Sequence, residues 1–287
     1  MLRYNSCPIP QDIIKTTNRI LVIGDLHADY NKTIALLKHF NLINNNNKWI
    51  GKNTIIVQMG DQVDGLGRGS FTDASGELKI LELFDDLHHQ ALIYGGAVYS
   101  ILGNHEIMNV EGIFTYASQN DINTNGGIEK RRQLFRPGGA MAQHFSCTRN
   151  SILKINNILF VHGGIHPDIL QYKDADKEIK VINKVIQNYL NGFIEKNDKE
   201  LNNYFNVNKG IIWDRSMGND SINCNNVDKV LKHLNADHII IGHTPQGIIN
   251  SICNNKVWRV DVGLSKSMGS NKMSVLEIKD GEFNVLY

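Results

Sequence analysis

Five short apolar, β-branched runs in this sequence each give way at once to side chains able to hold a metal ion. The runs are Ile20–Ile23, Thr54–Met59, Ala97–Leu102, Ile158–Val161 and His238–Ile241. Runs of this length and composition read as buried strands. After the first comes Gly24-Asp25-Leu26-His27, after the second Gly60-Asp61-Gln62-Val63-Asp64, and after the third Gly103-Asn104-His105-Glu106. The fourth runs into His162-Gly163-Gly164 and the fifth into Gly242-His243-Thr244-Pro245. Ligands of open α/β sheets sit outside the carboxyl ends of strands, so five such ends can converge on one spot.

The segments between the runs have a different period. Ile34, Leu36, Leu37 and Phe40 within 29–40, and Leu78, Leu81, Leu83, Phe84 and Leu87 within 78–87, suit helices laid on a sheet. Strand–helix alternation argues for an α/β layered fold. From Asp174 to Glu200 apolar residues recur at helical spacing, which predicts an amphipathic helix, read as a packed helical insertion at about 174–205. After Ile240 the chain reads as β, with strands expected at Lys256–Val260 and Met273–Ile278. With no repeat and no linker, residues 18–287 read as one catalytic domain.

Composition narrows the classes of function. The chain has 287 residues, 41% of them hydrophobic, enough for a large core. Its 30 Lys and Arg against 29 Asp and Glu leave a formal charge of +1, so no broad footprint for nucleic acid or an anionic membrane exists. The densest basic run, Lys130-Arg131-Arg132, reads as a solvated face. No apolar stretch approaches the ~20 residues of a membrane helix, and Met1–Pro10 lacks a secretory pattern. Cys7, Cys147, Cys224 and Cys253 are far apart with no CxxC pair; they read as reduced, structural thiols of an intracellular chain. A cytoplasmic location is the expectation.

The ligand set is chemically coherent. Asp, His and Asn are hard or borderline donors suited to manganese, iron or zinc, with no thiolate among them. Asp25 and His27 are two residues apart and point the same way on an extended strand. Asp61 is the natural carboxylate to bridge two ions. Two ions ~3.5–4 Å apart would clamp a phosphate and share an acidified water. His39, His88, His89, His144, His166, His233 and His238 carry no such context and read as structural.

In their order and form, GDLH, GDQVD, GNHE, HGG and GHTP resemble the motif series of the calcineurin-like metallophosphoesterases. GNHE and GDxVD resemble the phosphoprotein phosphatase branch, and LGNHEIMN, FRPGGAMA, VHGGI, GHTPQ and, more weakly, RVDVGLSKSMG look most like the Shewanella-like protein phosphatases. The resemblance implies a four-layer α-β-β-α sandwich. It implies one metal held by Asp25, His27 and Asp61, and a second by Asp61, Asn104, His162 and His243. It implies His105 as the general acid for the leaving oxygen, with Asp64 as its partner. Two departures stand out: Ala28 replaces a usual Gly, and Gly65 stands where the family has a phosphate-gripping Arg. Since a guanidinium fork is the expected clamp, Arg68, Arg215 and Arg136 are the candidates to supply it.

The function so implied is metal-dependent hydrolysis of phosphate monoesters, as a protein serine/threonine or tyrosine phosphatase, by in-line attack of a metal-bridging hydroxide. The substrate would be a phosphorylated protein or a small phosphate ester. A hydrolase of dinucleoside polyphosphates shares GDxH and GNH, and a catalytically silent scaffold is a third reading that the complete ligand set argues against. Neutral charge and GNHE disfavour a nuclease.

Overall fold

The computed structural model describes residues 10–269 and 272–287. Met1–Ile9, with Cys7, and residues 270–271 lie outside it. Among the described residues twelve strands form two six-stranded sheets. They are β1 (Ile13–Ile14), β2 (Ile20–Ile23), β3 (Ile55–Gln58), β4 (Ala97–Ile101), β5 (Arg149–Asn150), β6 (Ile152–Ile155), β7 (Ile158–Val161), β8 (His238–Ile241), β9 (Asn250–Ile252), β10 (Val257–Arg259), β11 (Val275–Lys279) and β12 (Glu282–Leu286). One sheet has the order β1-β6-β7-β8-β10-β9, the other β12-β11-β2-β3-β4-β5. The helices are α1 (Tyr30–His39), α2 (Glu77–Ile93), α3 (Asn104–Val110), α4 (Gln119–Thr124), α5 (Ile128–Phe135), α6 (Ala140–Thr148), α7 (Ala175–Leu190), α8 (Lys199–Tyr204) and α9 (Cys224–His233).

Side chains alternate across a strand, and that alternation builds the layers. Ile20 and Val22 of β2 join Ile158 and Phe160 of β7 in a core between the two sheets. Leu21 and Ile23 face the other way, onto Leu36 and Leu37 of α1 and Ile80 and Phe84 of α2. Leu159 and Val161 pack on Phe145, Ile182, Ile186 and Val230 from α6, α7 and α9. The result is the expected four-layer α-β-β-α sandwich. β2, β3 and β4 are parallel neighbours, as are β7, β8 and β10. Two sets of strand carboxyl ends therefore open at one rim of the sandwich.

The 174–205 stretch is two helices rather than one. α7 ends at Leu190, and Gly192, with φ +74°, turns the chain before α8. Ile179, Ile182, Ile186 and Leu190 are buried in the main helical layer.

The thiol expectation is overturned. Cys224 and Cys253 form a disulfide that fastens the start of α9 to the turn between β9 and β10, and Cys147 is disulfide-bonded as well. The reduced-thiol argument for a cytoplasmic location falls with it. Sequence alone gave no cue, because the pairing is set by tertiary proximity across a 29-residue separation. A loop of that length implies a stabilisation of about 3–4 kcal/mol by chain entropy. Cys224→Ala/Cys253→Ala should lower the urea midpoint accordingly and leave turnover unchanged, since both residues lie away from the site; an unchanged midpoint would show that the bridge contributes nothing to stability. No helix among the described residues is long and apolar enough to cross a membrane.

Candidate metal centre and active site

The five strand ends meet as expected. Asp25 and His27 follow β2, Asp61 follows β3, Asn104 opens α3 after β4, and His162 and His243 follow β7 and β8. All six are buried. Two groups of donor atoms share Asp61: His27, Asp61 and His105 in one, Asp61, His162 and His243 in the other, with Asp25 in neither. Asp61 Oδ2 lies 3.9 Å from His27 Nε2 and 3.3 Å from His162 Nε2, the placement a bridging carboxylate needs. Asn104 Oδ1 is 2.9 Å from the same His162 nitrogen. Asp25 sits behind the pair, where both its oxygens accept the His243 backbone N–H at 3.0 and 3.3 Å.

Backbone carbonyls hold the rings of His162 and His243 from behind. His162 Nδ1 donates to Met59 O at 2.7 Å, which turns Nε2 toward Asn104 Oδ1 and Asp61 Oδ2. His243 Nε2 donates to Trp213 O at 3.2 Å, and its Nδ1 is buried without a partner. His27 Nδ1 is also buried and unpartnered. Such backing partners fix the tautomer of metal-ligating histidines. Burial, reinforced by His105, pushes His27 down to about 3. Burial together with His162 and Arg215 pushes His243 down to about 2. Both rings are therefore neutral at ordinary pH. Burial opposes the charge of Asp61, but His162 and His105 outweigh it and hold the carboxyl well below the usual range. Buried, orphaned nitrogens on two of the rings grouped around one anionic carboxylate fit a metal pair.

The geometry is held by strain and by Glu106. His27, Asp61, Asp64 and His243 all adopt left-handed backbone, with φ of 40°, 53°, 67° and 65°. That conformation costs energy for non-glycine residues and clusters at functional sites. Glu106, fully buried, takes the N–H groups of Gly103, Asp61 and Gln62 at 2.8, 3.0 and 2.8 Å, which ties the Asp61 loop to the first turn of α3.

His105 follows Asn104 and lines the cavity beside it. Its Nδ1 donates to Asp64 Oδ2 at 2.8 Å, leaving Nε2 to face the substrate side. Burial lowers its basicity, but Asp61 and Asp64 more than compensate, and its pKa is raised. Asp64 is held in turn by Asn109 Nδ2 at 2.9 Å on Oδ1. Behind Asn109 lies Arg131, which donates to Asn109 Oδ1 at 2.7 and 2.9 Å and pairs with Glu77. The solvated-face expectation for Arg131 is thus corrected: it is 0% exposed, while its neighbours Lys130 and Arg132 face solvent. Its place on α5 turns it inward, where Glu77 and Asn109 satisfy its donors.

A cavity of about 280 Å³ covers this floor, lined by His27, Asp61, Asn104 and His105, with Arg68 and Arg215 on its walls. Met108, Tyr116, Trp213 and Met268 supply apolar rim. The absent arginine has a steric cause. A Cβ at Gly65 would lie 2.2 Å from Ala74 O, because Ala74 N–H bonds back to Gly65 O at 2.7 Å and closes the loop on itself. That loop delivers Arg68 instead. Its guanidinium stacks on Tyr116 at 4.1 Å from the ring centroid, and its Nη2 lies 3.4 Å from His105 Nε2. Arg215 Nη1 donates to His243 O at 2.8 Å. Arg136 is not brought here: it is exposed at the C-terminus of α5 and does not line the cavity. None of the seven histidines read as structural lines it either.

Fold and site together define a hydrolase of phosphate esters that works with bound divalent metal ions. The chain belongs to the calcineurin-like phosphoesterase family, whose model matches residues 18–247. It is 28% identical to Shewanella-like protein phosphatase 2 of Arabidopsis thaliana, over 94% of this chain and 78% of that protein. It is 29% identical to Shewanella-like protein phosphatase 1 of Plasmodium berghei, over 88% of this chain and 69% of that protein. A cold-active protein-tyrosine phosphatase of a psychrophilic Shewanella species shares the fold, with a TM-score of 0.82 at 24% identity, over 96% of this chain and 80% of that one.

Proposed function

We propose that this chain is a metal-dependent protein phosphatase acting on phosphotyrosyl and related aryl phosphate esters. The observation that carries the reading is the placing of the His105–Asp64 pair beside the Asp61-centred donor groups, under a rim built from Tyr116, Trp213, Met108 and Met268. An apolar, aromatic rim suits an aryl ester and covers the reacting centre from water. The reading takes residues 18–287 as one catalytic unit that includes 174–205.

The family resemblance supports the following residue roles. Asp25, His27 and Asp61 would hold one ion, and Asp61, Asn104, His162 and His243 the other; manganese, iron or zinc all suit these donors. Bound ions would neutralise the phosphate and acidify the attacking water. His105 gives its Nε2 proton to the leaving oxygen, while Asp64 keeps Nδ1–H in place. Arg68 and Arg215 take phosphate oxygens that face away from the metals, Arg68 replacing the fork that Gly65 cannot carry.

A substrate panel with manganese and with chelator tests the reading: p-nitrophenyl phosphate, phosphotyrosine, phosphoserine and phosphothreonine peptides, and diadenosine tetraphosphate. The phosphotyrosine peptide should be turned over fastest among the peptides. Preference for diadenosine tetraphosphate would replace the reading with a dinucleoside polyphosphate hydrolase. Within the same assay Arg215→Lys should raise KM and lower kcat, because Lys cannot reproduce the planar fork. Arg68→Ala should mainly weaken binding, by about tenfold or more, the worth of a charge-assisted hydrogen bond, with a defect that shrinks at high substrate. A kinetically silent Arg68→Ala would leave the phosphate to Arg215 and the metals.

A further inference from the structure

We propose that Asp261 belongs to the metal-holding set, a member that the five strand-end motifs do not include; the inference rests on reading the site as a metal centre. β10 runs parallel to β8 in register, and Val260 N–H donates to Ile241 O at 3.0 Å. Asp261 therefore stands just past the end of β10 much as His243 stands past the end of β8. It is a sixth strand end bearing a ligand-type side chain. On its other side the backbone presses on the first motif: a Cβ at Gly24, the residue before Asp25, would lie 3.0 Å from Asp261 Cα and 2.5 Å from Val260 O.

Asp261 is 1% exposed and lines the same cavity as His27, Asp61, Asn104 and His243. One of its oxygens is accounted for: Oδ1 accepts the Gly263 N–H at 2.8 Å. The other, Oδ2, is buried with no hydrogen-bond partner. Among the described residues no Lys, Arg or His forms an ion pair with it, and Nη1 of Arg215, on the same wall, donates to His243 O and Thr244 Oγ1. A buried carboxylate oxygen without a donor is costly and is retained where a cation answers it. Asp25 and Asp61 already bring two buried carboxylates to this spot, so a third makes an anionic pocket suited to holding metal ions. A purely local role, shaping the turn to Gly263, needs only a neutral acceptor at Oδ1 and leaves Oδ2 unexplained.

The test is manganese affinity of the full chain, measured by titration calorimetry or by competition with a chelator, in wild type and Asp261→Asn. The amide keeps the acceptor for Gly263 N–H and removes only the charge. Metal-site partners of this kind typically contribute about 10–100-fold in affinity, so manganese binding should weaken by that factor. The metal-free variant should melt no lower than wild type, since an unpaired buried charge has been removed. Equal manganese affinity in the two proteins would overturn the inference, as would a lower melting temperature of the metal-free variant with affinity intact. Should the amide fail to fold, Asp261→Ser, a smaller acceptor, is read by the same affinity criterion. Wild type that binds no manganese at all would instead overturn the metal-centre reading on which this rests.

Discussion

Asp61→Asn should lose on the order of 10³-fold or more in turnover, the rate equivalent of about 4 kcal/mol of metal-derived transition-state stabilisation. Asp61 is the residue shared by both donor groups, and its Oδ2 lies 3.9 Å from His27 Nε2 and 3.3 Å from His162 Nε2, so neutralising it should weaken both ion positions at once. The fold should survive. The loop is fastened through the backbone N–H groups of Asp61, Gln62 and Gly103 on Glu106, and an amide at position 61 can still accept the His105 N–H that Oδ1 now takes at 2.9 Å. Circular dichroism should be unchanged while metal content falls. His243→Ala should behave alike, since its Nδ1 has no protein partner to lose. Wild-type turnover from the Asp61 variant after exhaustive chelation would remove the two-metal mechanism.

His105→Asn should separate substrates by leaving group. General acid catalysis contributes about 10²–10⁴-fold, and that share matters most when the departing oxygen is a poor leaving group. Phosphoserine peptide hydrolysis should fall by that factor and p-nitrophenyl phosphate hydrolysis by much less, because nitrophenolate departs without a proton. The geometry supports the assignment: Nδ1 is committed to Asp64 at 2.8 Å while Nε2 faces the cavity. Asp64→Asn should show the same pattern more mildly, since it removes the partner and leaves the acid. Equal losses on both substrates would give His105 a positioning role instead.

The parts of this molecule that were legible in its sequence are the local ones. A buried strand and a ligand-type side chain occupy neighbouring positions, so Asp25, His27, Asp61, Asn104, His162 and His243 could be picked out as candidate ligands without knowing which strands pair. The sheets' outer helices were legible for the same reason, through a period of 3.6 over ten or more residues. What escaped depends on tertiary position. Arg131 sits in a basic run on a short helix, and nothing local distinguishes it from Arg132, yet α5 turns one onto Glu77 and the other to solvent. The disulfide joins residues whose spacing carries no signal. Glu106 was visible within GNHE, but its grip on the loop 44 or 45 residues earlier needed coordinates. Asp261 follows directly on the strand expected at Lys256–Val260, but no glycine stands before it as one does before Asp25, Asp61, Asn104 and His243, so it was not read as a ligand. The Gly65 departure was visible as a missing arginine, while its reason, the carbonyl of Ala74 in the way, was not.

The most direct test of the central claim is phosphate release from a phosphotyrosine peptide by one preparation assayed three times: as isolated, after exhaustive chelation, and after manganese is returned, with metal content measured by elemental analysis at each stage. A metal-dependent phosphatase built on the Asp61-centred donor groups should lose its activity with its metal and regain it as two ions per chain are restored. Undiminished phosphate release from demonstrably metal-free protein would contradict the account.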